Sequence, residues 1–232
     1  MKHILRSAVF AAVILSFCAF LPADDCSMYA PVKVGSEVEY KNYNDNGKVT
    51  GTNRTKVLAV RKTTGGQEIE MQSESFDKKD KSAGTSTYVV ACENGSFSVD
   101  MRSMITAEQK ESFKDSKVNI EADKLDIPSN PQVGQTLKNG TVKMVTESEG
   151  SPIVMKLTMN ISNRKVAAIE DVTVPAGTFK CVKITADVET KLLFTIRAKT
   201  VEWYAKEVGL VKSETYSTKD KLQGYTTLNA KK

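Results

Sequence analysis

The chain has 232 residues, and its 33 basic and 28 acidic side chains leave a net charge of +5, too little basic excess to expect a nucleic-acid or membrane-surface partner. Its one histidine is His3. Downstream of that position, serine–histidine and cysteine–histidine nucleophile pairs, histidine-ligated zinc and two-histidine iron are therefore excluded, while carboxylate-only catalysis survives in principle.

Lys2, His3 and Arg6 precede an apolar run from Ala8 to Leu21, and Pro22-Ala23 and Asp24-Asp25 follow it. That order reads as a secretory signal helix over residues 1–23, cut after Ala23. The run covers 14 positions, short of the roughly 18 that a spanning helix needs, so the mature chain is expected to have no transmembrane segment. Lipidation calls for small residues just before a cysteine. Cys18 follows Phe17 and Cys26 follows Asp24-Asp25, so a soluble exported protein of the periplasm or outer envelope is expected over a lipoprotein. Loss of Lys2 and Arg6 with the signal leaves 31 basic residues, close to balance. Residues 24–232 suit one β-rich domain with a sizeable core.

From Ser36 onward the pattern has period two. Glu37 to Lys41 alternates, Asn46-Gly47 signals a hairpin, and Thr55 to Arg61 is the return strand. Asn42-x-Asn44-x-Asn46-Gly47 also has the outline of a calcium loop, but Asn53 supplies no carboxylate at the twelfth position, so a plain turn is expected and no metal. Gly65-Gly66 turns into a strand with Ile69, Met71 and Ser73 on one face. A charged loop from Asp77 to Gly84 leads to Tyr88-Val89-Val90, and Asn94-Gly95 turns into Phe97, Val99 and Met101. This is an antiparallel meander.

Thr106-Ala-Glu-Gln109 has capping-box spacing, and Lys110 to Ser116 carries helix formers, so one short helix is expected as a lid or plug contacting Ile105 and Phe113. Val118, Ile120, Leu125 and Ile127 then run to Pro128 and Pro131 as an extended linker. Ile153, Met155, Leu157, Met159 and Ile161 alternate with polar residues, as on a strand with one dry face. Val166–Val174, Phe179–Val188, Leu192–Trp203, Leu210–Tyr216 and Leu222–Leu228 complete roughly a dozen strands. So large an antiparallel sheet must curl, close or split in two layers.

Three cysteines remain after the signal. Cys26 precedes the first strand and Cys92 ends the fourth, at one end of a four-strand meander, so a Cys26–Cys92 disulfide is expected with Cys181 buried and free. The acid pairs Glu147/Glu149 and Glu68/Glu70 sit at strand spacing among polar neighbours and read as solvated sheet faces. Met155, Leu157, Met159, Ile161 and Trp203 are the candidate lining of an apolar groove, since methionine adapts to varied ligand shapes. Trp203 and Tyr204 should point to opposite faces, one buried and one at the surface. No cofactor is implied.

Several phrases carry a family resemblance: Cys26-Ser-Met-Tyr-Ala-Pro31, Val133-Gly-Gln-Thr-Leu137, Val174-Pro-Ala-Gly-Thr-Phe179 with Cys181, and Trp203-Tyr-Ala-Lys-Glu-Val-Gly-Leu-Val211. Together they resemble the TapB family of exported Bacteroidota-type proteins, related to a larger family of unknown function. The resemblance implies a curved antiparallel half-barrel like that of periplasmic lipoprotein carriers, and brings no catalytic residues. A non-enzymatic protein holding a lipid or other apolar ligand in a concave groove is the leading expectation. A cell-envelope assembly protein working through protein contacts is the alternative, and a carboxylate-only glycan hydrolase the third.

Overall fold

The structure, a computed structural model, describes residues 26–105, 116–148 and 154–232. Among the described residues it forms β1 (Glu37–Asn44), β2 (Val49–Thr63), β3 (Gly66–Asp77), β4 (Ser82–Glu93), β5 (Ser96–Asp100), β6 (Ser116–Ala122), β7 (Lys124–Pro128), β8 (Gly140–Ser148), β9 (Val154–Val174), β10 (Gly177–Lys191), β11 (Thr195–Ala205), β12 (Gly209–Ser217) and β13 (Leu222–Lys231). All join one antiparallel sheet in the order β6-β8-β9-β10-β11-β12-β13-β1-β2-β3-β4-β5-β7. The first and last strands lie side by side, with Tyr40 opposite Leu228. Curling, rather than splitting into two layers, is how this sheet covers its inner face. Bulges beside Glu39, Val57 and Trp203 bend its strands.

The two edges of the sheet meet in a single stretch of chain. β6 pairs with β8, placing Ile120 opposite Met144, and β7 pairs with β5, placing Ile127 opposite Phe97. Between them Asp123 donates its N–H to the Thr141 carbonyl at 2.9 Å and accepts the Met101 N–H at 3.0 Å. Its carboxylate also takes the Thr141 N–H at 2.9 Å. The sheet is thereby nearly closed into a barrel.

The expected linker over Val118–Ile127 is therefore two strands. Pro128 and Pro131 end the pairing, while the alternating apolar residues before them form it. Of β8 the sequence suggested only the strand spacing of Glu147/Glu149 at its end; its buried side chains are Val142, Met144 and Thr146, and a threonine in that row weakens the apolar signal. The two strands expected over Ile153–Ile161 and Val166–Val174 are one strand, β9. Asn163 carries the irregularity between them with φ of 53°, a left-handed value that asparagine tolerates. The predicted signal (residues 1–23) and the predicted helix through residue 115 lie outside the described residues. Ser116 already belongs to β6, and Met101 opens a 3₁₀ turn, Met101–Met104, whose first free N–H, on Arg102, is capped by the Asp100 carboxylate at 2.8 Å.

Among the described residues, three apolar clusters form the core. One joins Tyr29, Val57, Ile69, Met71, Val90, Phe97, Ile127, Leu137, Val166, Val182 and Ile184. The second surrounds Trp203 with Val174, Cys181, Val208, Val211 and Leu228. The third joins Met101, Ile105, Val142, Met144, Ile161 and Ala186.

Candidate functional site

The segment before β1 caps one end of the barrel. Cys26 is disulfide-bonded to Cys92 at the end of β4, with Cα atoms 5.7 Å apart. The Ser27 N–H donates to Ser129 Oγ at 2.9 Å, and the Met28 carbonyl accepts the Glu207 N–H at 2.7 Å. Held on three sides, the segment drives Tyr29 inward, where its ring meets Phe97 edge-on with centroids 5.9 Å apart. The Tyr29 hydroxyl is buried and pairs with no group among the described residues, and burial pushes its pKa up to about 12. A lone buried hydroxyl costs roughly 1–3 kcal/mol unless something hydrogen-bonds it.

Beneath Tyr29 lies a cavity of about 340 Å³. Tyr40, Tyr88 and Tyr204 line it together with Thr55, Ser73, Ser75 and Ser86, while Met71, Val90, Phe97 and Val99 supply apolar wall. The hydroxyl-bearing side follows from β2, β3 and β4 alternating Thr55, Ser73 and Ser86 toward the inside; Thr55 donates to Ser73 across the strands at 3.3 Å. Burial holds the phenols of Tyr40, Tyr88 and Tyr204 above their ordinary range, so they stay neutral donors and acceptors at any physiological pH.

Tyr204 leads to a charged group. Its hydroxyl donates to Glu202 at 3.2 Å, and burial raises the Glu202 carboxyl above the usual range despite the nearby Arg164. Arg164, 5% exposed, donates to the Lys138 carbonyl at 2.7 Å and the Asp126 carbonyl at 3.0 Å, with the Asp126 carboxylate 3.7 Å away. It ties β9 to β7 and to the loop leading into β8. The interior is thus half polar, a departure from the dry concave surface expected of the alternating pattern. The cause is local: Glu202 and Tyr204 share the inward face of β11, and Arg164 follows the irregular Asn163.

Leu157, Met159 and Ile161 do come together, against Met101, Val142 and Met144. Side chains nearly fill that region, leaving a void of about 20 Å³. Met155, on the same strand, is half-buried and lies outside that cluster. Trp203 belongs to a different cluster. Its ring sits between the Lys183 and Lys212 ammonium groups at 5.0 and 5.1 Å, and its Nε1 donates to Glu170 at 2.7 Å. Neither Trp203 nor Tyr204 is fully at the surface. Glu68 and Glu70 flank the buried Ile69 and so face away from the cavity, with Glu70 paired to Arg61; Glu147 is exposed, and Glu149 lies outside the described residues. Asn44 spends its side chain on the turn, accepting from the N–H of Asn46 and of Lys48, as the plain-turn expectation requires. Cys181 is buried and free, its thiol pushed up to about 11 by burial and by Asp171 and Glu170.

A second hollow, of about 630 Å³, opens between residues 129–132 and the start of β10, and Tyr29 borders this one too. Of the tyrosines that frame the first cavity, only Tyr204 was a candidate edge of a binding mouth on sequence, and a rim tyrosine is too common to single out a site.

The fold and cavity define a class: a single antiparallel sheet curled almost shut around a part-polar interior and capped by a disulfide-held segment. The chain belongs to the DUF3108-like family, whose model matches residues 33–228. It is similar in structure to a Bacteroides fragilis protein provisionally described as exported, with a YmcC-like fold, at a TM-score of 0.75 and 25% identity over 89% of this chain and 100% of that one. A Parabacteroides distasonis protein, provisionally described as a lipoprotein, is similar at a TM-score of 0.76 and 26% identity over 90% of this chain and 100% of that one. No curated protein matches the chain.

Proposed function

We propose that this is an exported, non-enzymatic TapB-like protein that holds an amphipathic ligand, a lipid or a molecule of similar chemistry, in the tyrosine-framed cavity. The observation that carries the reading is the cavity itself, bordered by Tyr29 and having one apolar wall and one hydroxyl-bearing wall. An apolar body would cover Met71, Val90 and Val99, and a carbonyl or hydroxyl on the ligand would meet the hydroxyl-bearing wall of Thr55, Ser73, Ser75 and Ser86. The methionine face of β9 is the poorer choice, being packed by its own side chains. Export is supported by the signal pattern, by a disulfide suited to an oxidising compartment and by the descriptions of the two relatives. Envelope assembly through strand pairing has less behind it, since the edge strands β6 and β7 are short.

The test is lipid extraction and mass spectrometry of protein isolated from its native source, beside a Ser73→Phe variant whose ring would fill the cavity. A stoichiometric amphiphile in the wild type and its loss in the variant support the reading. Wild-type protein that is empty, or equal ligand in both, overturns it.

A further inference from the structure

At the opposite end from the Tyr29 cap, the β10–β11 hairpin ends in Leu192-Leu193-Phe194. Leu193 is 85% exposed and Phe194 70% exposed, with Leu192 and Ile196 about half exposed beside them. A Leu192 N–H to Phe194 carbonyl bond of 3.2 Å folds the apex tightly, so the side chains project outward from a fixed turn. Leaving such a cluster in water is unfavourable, and contiguous exposed apolar surface of this kind marks a contact site.

The shape and charge of its surroundings point to the partner. The apex is convex and about three residues wide, which suits insertion into a soft surface better than docking on a rigid one. In the antiparallel order the β12–β13 and β3–β4 turns lie at this same end. Residues 217–221 carry Lys219 and Lys221 against Asp220, and residues 77–81 carry three lysines against two aspartates. Beside the apex, Lys191 and Arg197 share the single acid Glu189. These three turns each have one base in excess, while the β1–β2 turn at the same end balances Lys48 with Asp45, which also faces Lys221 at 4.0 Å, giving a mildly basic rim around an apolar point.

We propose that this rim docks on a bilayer containing anionic lipids, Leu193 and Phe194 entering the interfacial region while the lysines meet the headgroups. The overall near-neutral charge hides this surface, because its excess is local. The proposal does not depend on what the cavity holds.

The experiment is vesicle co-sedimentation of the full mature chain with phosphatidylglycerol–phosphatidylethanolamine and with pure phosphatidylcholine, for wild type and Leu193→Ser/Phe194→Ser. Both positions are exposed, so the double variant should keep the wild-type circular dichroism. Expected is binding to the anionic vesicles that weakens with salt and falls about tenfold or more in the double variant, the size of effect that losing two apolar anchors implies. A Phe194→Trp variant should show a fluorescence blue shift with the anionic vesicles only. Absence of wild-type binding, equal binding by the double variant, or concentration-dependent self-association abolished by the double variant would each overturn the proposal, the last assigning the tip to a second copy of the chain.

Discussion

Removing the Arg164 side chain should be among the most damaging single changes in this protein. Arg164→Ala takes two hydrogen bonds from the carbonyls of Lys138 and Asp126 and leaves the buried Asp126 Oδ1 with no ion partner. The Asp126 side chain is a third exposed, so the 3.7 Å ion pair adds little by itself, but each carbonyl left unpaired costs roughly 1–3 kcal/mol unless water follows. Taking about 4 kcal/mol and the roughly 2–4 °C per kcal/mol expected for a chain this size, the melting temperature should fall by about 8–16 °C. Arg164→Lys should recover little, since an ammonium cannot span two carbonyls in the fork geometry of a guanidinium. The assay is urea unfolding followed by the fluorescence of Trp203, the one tryptophan in the chain, with the disulfide intact. A loss below about 1 kcal/mol with unchanged slope would refute the claim that Arg164 staples β9 to β7.

The remaining expectations follow from the same interior. Glu202 has a raised pKa when folded, so its proton is held more tightly in the native state; its contribution to stability is present below the unfolded carboxyl pKa and is lost as pH rises through the folded one. Glu202→Gln should therefore be more stable than wild type at pH 7 and indistinguishable from it below about pH 4, as read by thermal melts across pH. Cys26→Ser/Cys92→Ser removes a cross-link over a sequence separation of 66 and should cost about 4 kcal/mol, and reductant should lower the wild-type melting point similarly. Cys181, buried with a raised pKa, should resist a thiol reagent in native protein and react once per chain in denaturant. Gly66→Ala should destabilise strongly, because its Cβ would lie 1.9 Å from the Cys92 carbonyl oxygen and its φ is +154°.

Where alternation was regular the sequence spoke clearly: β1 to β4 and β10 to β13 could be placed from Tyr40, Ile69, Val90, Ile184 and Leu228, and the disulfide from the topology those strands imply. What stayed hidden was non-local. Arg164 and Glu202 look like solvated charges until β7 and β11 bring Asp126 and Tyr204 to them. The residues 116–128 look like a linker because their two halves pair with different strands, each too short to stand out. Trp203 was a candidate for the groove lining, but alternation alone leaves open which face is concave, and the Lys183 and Lys212 ammonium groups flank its ring.

The pairing of β1 with β13 has a bearing on how the molecule is made. A chain emerging from a translocation pore amino end first exposes residues 37–44 long before residues 222–231 exist outside to meet them. Until then β1 keeps one row of backbone groups unpaired, and loop closure over nearly the whole length must precede that contact. Shielding by a chaperone during that interval would suppress pairing with strangers, and loss of the last ten residues would leave two half-sheets joined along one side alone.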